Sequence, residues 1–405
     1  MTEEIPRYWP EPEPSNYLLT VNCGSSSLKL GFIREEDLVC RRVVDVERIG
    51  REGTTARITD HEGHEARLDL KDDFKFADHA SALKKTLSSV TRAFQVKEYV
   101  AVGHRMVHGG PQYRDHARVT PEMLAELRRV TPFAPLHLPA AVSCIDQFNE
   151  IHPDLPQIAC FDTAFHRTMP DVARLYALPE RFAAEGLFRY GFHGLSFEYI
   201  VNELQRLNAC QERVIVAHLG NGCSLAAVKD GVGIDTTMGF TPAAGLVMGT
   251  RAGDVDPGLL FYLLKERQMP VAELERALLL EGGLLGLSGV SNDMRQVLER
   301  EATDPRCALA AASFCHSASR HIGALTASLA GLDTLVFTGG IGEHAAEIRR
   351  RICEPLAYLG LEIDPALNSA RPPQPIISTP SSRVCVRVMK TNEELMIARH
   401  TLRLK

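Results

Sequence analysis

The feature that most constrains the fold is a meander of three short strands that occurs twice, once in each half of the chain. Apolar runs predict the strands, and turns rich in glycine separate them. One copy reads N-C-G-S-S-S-L and the other H-L-G-N-G-C-S-L, so the two match almost block for block. The pattern predicts an internal duplication, with two coincidentally similar hairpins as the alternative. The predicted strands are residues 17–22, 28–33 and 38–46, and residues 214–219, 224–228 and 232–236.

The turns inside both meanders have a composition suited to anions. A turn of glycine, serine or asparagine points several backbone N–H groups and small hydroxyls into one concavity. Two such turns that face each other would hold a polyphosphate from both sides. Lys29 lies just past the first turn and could reach a phosphate, although a lysine that faces solvent on a strand is equally common.

Length and composition indicate a globular enzyme of two domains. The chain has 405 residues, 45% hydrophobic and 24% charged, and its net charge of −6 implies no nucleic-acid partner. Its ten cysteines form no C-x-x-C pair, which favours reduced thiols in a cytoplasmic protein. Residues 1–16 are acidic and Pro-rich and lack an apolar segment, so we expect a flexible tail and not a signal peptide. No apolar run reaches membrane-spanning length.

Residues 235–256 follow neither a helical nor a strand period and are typical of a loop that wraps a ligand. Arg251 is the only basic residue in this loop, and small residues surround it. An arginine on closely packed backbone suits a planar oxyanion such as a carboxylate or a phosphate. An arginine that braces a turn by pairing with Asp254 or Asp256 is the alternative, and the loop alone does not decide between them.

Several segments between the meanders place polar side chains at the ends of predicted elements. Arg105 ends a strand just before two glycines, Asp162 follows a strand, and His193 precedes a helix. A hairpin contains the letters HEGHE, whose histidines have the wrong spacing for a zinc-protease helix. Thr120 and Pro121 begin a helix as its N-cap and first residue. The predicted strands are 99–107 and 158–161, the hairpin is 54–70, the helices are 81–94, 121–130 and 196–208, and an extended Pro-rich turn with His137 covers 134–139.

The last part of the chain contains a second glycine pattern. A buried strand at 335–338 runs into glycines at 339–342 and then a helix at 343–352, which is a backbone geometry suited to phosphates. Its letters also fit a loose dinucleotide fingerprint, so a dehydrogenase stays a weak alternative. A helix at 271–280 precedes a Gly-rich loop at 282–291. The chain ends in a strand and a helix over 386–401, with Thr391 or Asn392 as the cap.

Eight blocks of the sequence together resemble the acetate kinase family. They occur in the family's order from about residue 18 to residue 401: VNCGSSSLK, VGHRMVHGG, FDTAFHRTMP, RYGFHGLS, AHLGNGCS, TMGFTP with GLVMGTRAGDVDPG, FTGGIGEH and KTNEEL. The resemblance implies an α/β fold, with duplicated ribonuclease-H-like (actin-like ATPase) domains flanking a nucleotide cleft. It places the first domain at 17–163 plus 391–405, and the second, with much of the nucleotide site, at 164–390. It also implies a homodimer and the reversible reaction of ATP and acetate to ADP and acetyl phosphate.

The resemblance assigns roles to residues by matching position. Arg105 and Arg251 match the arginines at the transferred phosphoryl group, His193 matches their partner, and Asp162 matches a residue usually labelled an acid/base. The family's magnesium site, which could also take Mn²⁺, is matched by Asn22 and Glu393. The apolar acetate pocket is matched by Val107, Leu136, Phe192 and Pro242. The nucleotide contacts are matched by Lys29, His218, Leu219, Gly220, Asn221, Gly222, Asp293, Met294, Arg295, Gly340, Ile341, Gly342, Glu343 and His344.

A few positions depart from the family pattern, and none of them removes a charged catalytic group. They bear on nucleotide preference and on the polar support behind His193. These positions are Leu138 and His344 for the usual Asn, Leu195 and Phe197 for the frequent Thr and His, and Ala244 for the frequent Glu.

The chemistry of the implied reaction explains this set of residues. A carboxylate has a pKa of about 4 and is ionised at neutral pH, so it needs no general base to act as a nucleophile. It needs relief from phosphate repulsion and alignment with the leaving oxygen, which two arginines, an imidazole and magnesium supply. We therefore interpret Asp162 as an organiser of an arginine or of magnesium-bound water. A propionate or other short-chain acyl kinase is the near alternative. A non-catalytic actin-like ATP-binding protein is less consistent, because it should lack the arginines and His193.

Overall fold

The computed structural model describes residues 15–24, 26–50, 52–67, 76–94, 98–209 and 212–405. Most of the tail expected at 1–16, the turn residue Ser25 and residues 68–70 of the expected hairpin lie outside this part of the chain. The chain divides into two compact units. The first comprises residues 1–164 and 392–405, and the second comprises residues 165–391.

The described strands are short, as the turn spacing predicts. In chain order they are β1 Asn16–Cys23, β2 Ser27–Arg34, β3 Cys40–Glu47, β4 Thr55–Asp60, β5 Glu65–Arg67, β6 Glu98–Met106, β7 Ala117–Arg118, β8 Gln157–Phe161, β9 Arg213–Leu219, β10 Cys223–Lys229, β11 Val232–Thr236, β12 Thr334–Thr338 and β13 Cys385–Val388.

The described helices range from one turn to 25 residues. In chain order they are α1 His79–Phe94, α2 Pro121–Arg129, α3 Leu138–Ile151, α4 Asp171–Arg174, α5 Glu180–Ala184, α6 Gly194–Arg206, α7 Pro257–Lys265, α8 Val271–Leu279, α9 Gly283–Ser288, α10 Met294–Arg300, α11 Pro305–Leu329, α12 Gly339–His344, α13 Ala346–Cys353, α14 Pro365–Ser369 and α15 Glu393–Leu404. Short 3₁₀ helices cover Thr131–Phe133, Ala164–Thr168 and Glu354–Leu359.

The first unit is built on an eight-stranded sheet in the order β5-β4-β3-β2-β1-β6-β8-β7. Strands β1 to β5 pair antiparallel, whereas β6 lies parallel to β1 and β8 lies parallel to β6. Their parallel direction brings the carboxyl ends of β1, β6 and β8 to one edge of the sheet. Helix α15 packs against the same three strands.

The second unit repeats this arrangement in a five-stranded sheet with the order β11-β10-β9-β12-β13. An antiparallel meander again leads to two parallel strands, because β12 lies parallel to β9 and β13 lies parallel to β12. The antiparallel-then-parallel order β3-β2-β1-β6-β8 of the first unit matches β11-β10-β9-β12-β13 of the second. The shared topology confirms the predicted internal duplication.

Helix α6 illustrates how the sequence places functional residues in the second unit. Its apolar residues recur at helical spacing and form one face: Phe197, Ile200, Val201 and Leu204. This face packs on Val214 and Val216 of β9, Ala226 and Val228 of β10 and Val336 of β12, all fully buried. The packing fixes the start of α6, which is where His193 lies.

Three predictions of irregular structure are wrong. We expected an extended turn at 134–139, but its last two residues, Leu138 and Pro139, are the beginning of α3. We expected a Gly-rich loop at 282–291, but α9 lies inside that segment. The glycines expected to precede a helix at 343–352 are themselves the first turn of α12. The letters HEGHE cover the turn between β4 and β5 together with the first residue of β5, as the expected hairpin implies, and they form no helix.

Among the described residues, no helix combines the length and the apolar character needed to cross a membrane.

Candidate active site

Arg105 and Asp162 meet at the carboxyl edge of the first unit's sheet. Arg105 lies on β6 opposite Cys160 of β8, and the backbone N–H of Asp162 donates to the Met106 carbonyl at 2.9 Å. The Arg105 guanidinium donates to both oxygens of the Asp162 carboxylate, from Nε at 3.1 and 3.2 Å and from Nη2 at 2.7 Å. Asp162 is 1% exposed. This bidentate pair, in which the carboxylate is buried and the guanidinium is partly exposed, fixes the plane of the guanidinium.

The third nitrogen of Arg105 brings two more of the predicted residues together. Its Nη1 donates to Asn22 Oδ1 at 3.2 Å and lies 3.3 Å from Glu393 Oε2. Burial on its own lowers the pKa of Arg105, but the carboxylates of Asp162 and Glu393 outweigh it, so the net pKa is raised. Four predicted site residues of the first unit, from β1, β6, the end of β8 and α15, therefore form one charged cluster.

The first turn of α15 presents two adjacent carboxylates to this edge of the sheet. Asn392 caps the helix by accepting the Leu395 N–H at 3.0 Å, which confirms one of the two predicted caps. Glu393 faces Arg105, and Glu394 Oε1 lies 2.7 Å from Lys29 Nζ. Burial alone lowers the pKa of Lys29, whereas the charge and hydrogen bond of Glu394 raise it, and the net pKa is raised. The ammonium group of Lys29 has three N–H donors, so the contact with Glu394 leaves donors for a phosphate.

His193 occupies a strained position at the start of α6 in the second unit. Its backbone is left-handed, with φ at 56°, which for a residue other than glycine costs on the order of 1–3 kcal/mol. His193 Nδ1 lies 2.8 Å from Ser224 Oγ, and the ring stacks on His218 with the centroids 4.4 Å apart. His218 Nδ1 in turn lies 2.8 Å from Ser196 Oγ. The two serines thus hold both imidazoles through Nδ1 and orient Nε2 away from the serines.

Arg251 lies in the predicted loop, whose residues after β11 contain no helix or strand up to α7. Its Nη1 donates to the Pro242 carbonyl at 2.7 Å. The carboxylate of Asp254 instead accepts a backbone N–H at 2.7 Å, and that of Asp256 caps α7. Arg251 thus contacts Pro242 and Met248 within its own loop, and its ligand-directed role stays a prediction.

Gly222 lies next to both Arg251 and His193. A Cβ atom at this position would lie 3.3 Å from Arg251 Nη2 and 3.4 Å from His193 Nε2. The absence of a side chain keeps this space open, so a guanidinium and an imidazole border one small volume beside the 220–222 turn. Two residues that the sequence places 58 positions apart are therefore brought together.

The two nucleotide segments expected from the resemblance start at the same edge of the second sheet. Thr338 at the end of β12 lies opposite His218 on β9. Gly339 then has φ of 76°, and a Cβ there would approach the Leu219 carbonyl oxygen to 2.8 Å, so only glycine fits. Residues Gly340 to His344 follow in α12, in which Gly340 and His344 are exposed.

The predicted nucleotide segment at 293–295 is also attached to the 220–222 turn. Asn292 Nδ2 donates to Asn221 Oδ1 at 3.3 Å, a link that the sequence did not indicate. Asp293 caps α10 and pairs with Arg295 at 2.7 Å, while the Met294 side chain is buried. Arg295 is the most accessible of the three, with its side chain 85% exposed.

The predicted acetate-pocket residues are divided between the units. Val107, just after β6, and Leu136 belong to the first unit, and Phe192 and Pro242 belong to the second. Val107 and Phe192 are buried, whereas Leu136 and Pro242 are half-buried.

Three of the five positions that depart from the family pattern, Leu138, Leu195 and Phe197, are buried, whereas Ala244 is half-buried and His344 is exposed. Leu195 and Phe197 are at most 1% exposed, and Phe197 belongs to the apolar face of α6. The polar support of the imidazoles comes instead from Ser196 and Ser224. Both serines lie in the sequence blocks RYGFHGLS and AHLGNGCS, but a serine there gives no signal of its partner.

Comparison with known proteins covers nearly the whole chain. Residues 17–399 match the acetokinase family. The curated acetate kinase of Rhodopseudomonas palustris is 42% identical over 412 residues, which cover 96% of this chain and 98% of that protein. A crystal structure of a propionate kinase from Francisella tularensis has a TM-score of 0.89 at 37% identity and covers 96% of this chain and 100% of that chain. For the Porphyromonas gingivalis acetate kinase the TM-score is 0.85 at 34% identity, with the same coverage.

These likenesses extend over both units and are too strong for a shared local motif. They confirm the predicted fold class, α/β with duplicated actin-like ATPase domains. The chain therefore belongs to the acetokinase family.

Proposed function

We propose that this protein is an acetate kinase, which transfers the γ-phosphoryl group of ATP reversibly to acetate and gives acetyl phosphate and ADP. Its family is that of an ATP-dependent kinase, and its curated relatives over the whole length are acetate kinases. The observation that carries the proposal is that the chain has, in ordered positions, the groups that an in-line transfer requires: Arg105 on Asp162, and Arg251 beside His193.

Each of these groups has a role that follows from charge. An acetate carboxylate is ionised at neutral pH and is repelled by the phosphates, so it attacks only where cations offset that repulsion. The guanidinium groups of Arg105 and Arg251, with the imidazole of His193, would stabilise the negative charge of the phosphoryl group in the transition state. Asp162 uses both carboxylate oxygens to orient Arg105 and raises the pKa of that arginine. It is therefore an organiser, and no step assigns it a proton.

A divalent cation would bind at Asn22 and Glu393. Their side-chain oxygens converge on a single atom, Arg105 Nη1, at 3.2 and 3.3 Å. Amide and carboxylate oxygens are the ligands that Mg²⁺ prefers, so the donor set fits this ion and also Mn²⁺. When bound, the ion would supply further neutralisation of phosphate charge.

The nucleotide would bind through backbone groups of the second unit. The turn at 218–222, the segment at 293–295 and α12 all lie near the carboxyl edge of β9 and β12. The exposed Gly340 has open space around its α-carbon, which lets a ligand approach the main chain closely.

A second copy of this chain is the partner that we propose, as a homodimer. Helix α7 carries three large apolar side chains that are about half exposed: Leu259, Phe261 and Tyr262. Such a cluster on the surface is typical of a protein interface. Light scattering of the purified chain would give its mass, and a mass that stays at that of one chain, 44.7 kDa, at all concentrations would contradict the homodimer.

The near alternative is a propionate or other short-chain acyl kinase, since one of the similar structures is a propionate kinase. In an apolar pocket one methylene changes the free energy of binding the transition state by about 1–3 kcal/mol. The kcat/KM values for acetate and propionate should therefore differ by about 10- to 200-fold. A dehydrogenase has no support from the comparisons, because residues 17–399 match the acetokinase family and the curated relatives are acetate kinases.

A coupled assay of ADP formation tests the proposal with acetate, propionate and butyrate as separate substrates. We expect ATP-dependent turnover with acetate, a lower kcat/KM with each added methylene, and loss of activity with a chelator that Mg²⁺ reverses. Higher kcat/KM for propionate than for acetate would establish the alternative. Turnover with none of the three acids would overturn both.

A further inference from the structure

Arg349 is the largest fully buried charged side chain of the described residues, and the reaction outlined above does not use it. It is 1% exposed, and it forms no ion pair within the described part of the chain. Burial lowers the pKa of Arg349 to about 10, so it remains charged at neutral pH. A buried cation without a carboxylate is unfavourable unless hydrogen bonds satisfy its donors. Its acceptors therefore indicate what it does.

All of the hydrogen bonds that Arg349 donates from its side chain go to two places. Nη1 donates to the carbonyl oxygens of Gly342 and Glu343, each at 2.9 Å. Nε and Nη2 donate to the side chain and the carbonyl of Asn368, at 2.9 and 2.7 Å. Asn368 Nδ2 donates in turn to the Ala346 carbonyl at 2.9 Å. The guanidinium thus links α14 to the last turn of α12.

The last turn of a helix has carbonyl groups with no partner inside the helix and carries partial negative charge. Helix α12 has only six residues, so it depends on outside partners more than a long helix does. Arg349 supplies a cation and two hydrogen bonds at that end. At the other end, Gly339 packs on the Leu219 carbonyl, and Glu343 Oε1 accepts the Gly339 N–H at 3.1 Å.

We propose that Arg349 is a positioning residue for nucleotide binding, because it holds α12 in place against the 218–222 turn from the end opposite to Gly339. This inference rests on the proposed kinase function, in which residues 340–344 contact the nucleotide. The substrate class that it affects is the nucleotide, and the carboxylic acid substrate does not depend on it.

The chemistry of arginine is specific for this task. A guanidinium has five N–H donors in a planar fork, so it serves α12 and α14 at once. A lysine keeps the charge but has one nitrogen and cannot reach both sets of acceptors. Arg349→Lys therefore retains a cation in the core while it loses the link, and Arg349→Met loses both.

The first experiment measures hydrogen exchange of the backbone amides in α12, which does not depend on any activity. In Arg349→Lys we expect faster exchange at residues 342–344 than in the wild type, while β9 and β12 stay protected. The matched control is Val228→Ala, which removes buried volume from the core of the same unit at the end of β10 away from the 220–222 turn. Unchanged α12 exchange in Arg349→Lys, or an equal increase in Val228→Ala, would overturn the positioning role.

The second experiment measures steady-state kinetics and calorimetric binding of ADP for the same variants. We expect the KM for ATP and the Kd for ADP to rise on the order of tenfold in Arg349→Lys, below the about 100-fold cost of a 1 Å misplacement at a reacting centre. The KM for acetate should stay within twofold. A parallel rise of both KM values would mean a merely structural role. If the wild type binds no nucleotide at all, the proposed function is wrong. The hydrogen-exchange experiment would still test, independently of that result, whether Arg349 positions α12.

Should Arg349→Met fail to fold, Arg349→Lys and Asn368→Ala still test the proposal. Asn368→Ala removes the side-chain acceptor of Nε and leaves both carbonyls of α12 available to Nη1. We expect a smaller rise in the KM for ATP than in Arg349→Lys. An equal or larger rise would assign the effect to α14 and contradict the proposal.

Discussion

Arg105 and Arg251 are both held by fixed partners before any substrate binds. Asp162 fixes Arg105 through a bidentate contact, and the Pro242 carbonyl holds Arg251 through Nη1. Preorganised charge of this kind needs no rearrangement when negative charge develops on the phosphoryl group. We expect Arg105→Ala and Arg251→Ala each to lower kcat by about 10³-fold or more, the magnitude found for arginine fingers. Initial rates at saturating ATP and acetate, with circular dichroism of each variant, would measure this.

Removal of Arg105 also leaves the Asp162 carboxylate buried without its partner, so a loss of fold must be separated from a loss of catalysis. Arg105→Lys keeps a cation near Asp162 and should fold, yet it cannot reproduce the bidentate geometry. Arg128→Ala is the control, since Arg128 pairs with Asp146 on the surface of the same unit. A kcat close to that of the wild type in Arg105→Lys and in Arg251→Ala would remove both residues from the proposed catalysis.

The sequence located these residues more easily than their contacts. Arg105, Asp162 and His193 are recognisable because each lies at the end of a predicted element. Arg105 contacts Asn22 and Glu393 because α15 packs on β1, β6 and β8. This packing is a tertiary feature, and no local pattern in the sequence indicates it. The same holds for Ser224 behind His193, since serine at a strand position has no distinctive pattern.

The turn between β9 and β10 has its own constraint at Gly222. Its φ is not positive, so an alanine fits the backbone, but the added methyl group would crowd Arg251 and His193 at 3.3 and 3.4 Å. We expect Gly222→Ala to fold normally and to lower kcat by roughly 10- to 100-fold through displacement of these groups. Gly323→Ala on α11 is the matched control, since its methyl group meets only the end of Tyr358, also at 3.3 Å. Equal activity of the two variants would argue against a crowded catalytic volume.

Strands and amphipathic helices were predictable because period and turn chemistry agree locally. The missed helices are those in which local signals point away from a helix. Helix α3 has Pro139 near its start, where proline is tolerated although it suggested an extended turn. Helices α9 and α12 are rich in glycine, and packing against α11 or the 218–222 turn overrides their low helix propensity.

At the scale of the whole molecule, the duplication was readable because each meander repeats the same turns. The parallel strands that complete each sheet are single buried runs, such as β8 and β12, and their neighbours cannot be assigned from sequence. The topology shared by the two sheets therefore goes beyond what the repeated letters predicted. Each unit also has its own buried core, and each core contains a histidine, His104 in the first unit and His166 in the second. A change in pH can therefore alter the stability of both units.

Each unit buries a histidine that stays neutral when the protein is folded. Burial lowers the pKa of His104 in the first unit to about 4, although its hydrogen bond to Gln157 has a smaller effect in the opposite direction. Burial also lowers the pKa of His166 in the second unit to about 4. In the unfolded chain a histidine has a pKa of about 6.5. Below pH 6.5 the unfolded chain therefore binds protons that the folded chain does not.

From this difference we expect the stability of both units to be unaffected by these histidines above about pH 6.5 and to fall as the pH drops from 6.5 towards 4. Each histidine can account for a loss on the order of 3 kcal/mol at the acid end. The midpoints of urea unfolding from pH 8 to pH 4 would measure this loss of stability.

His104→Gln and His166→Gln should be less stable than the wild type at pH 8 but lose less of their stability on acidification. Leu204→Ala, which creates a cavity in the second core, should lower the midpoint by a similar amount at every pH. Curves for the two glutamine variants that run parallel to the wild type would mean that other groups set the acid sensitivity of this protein.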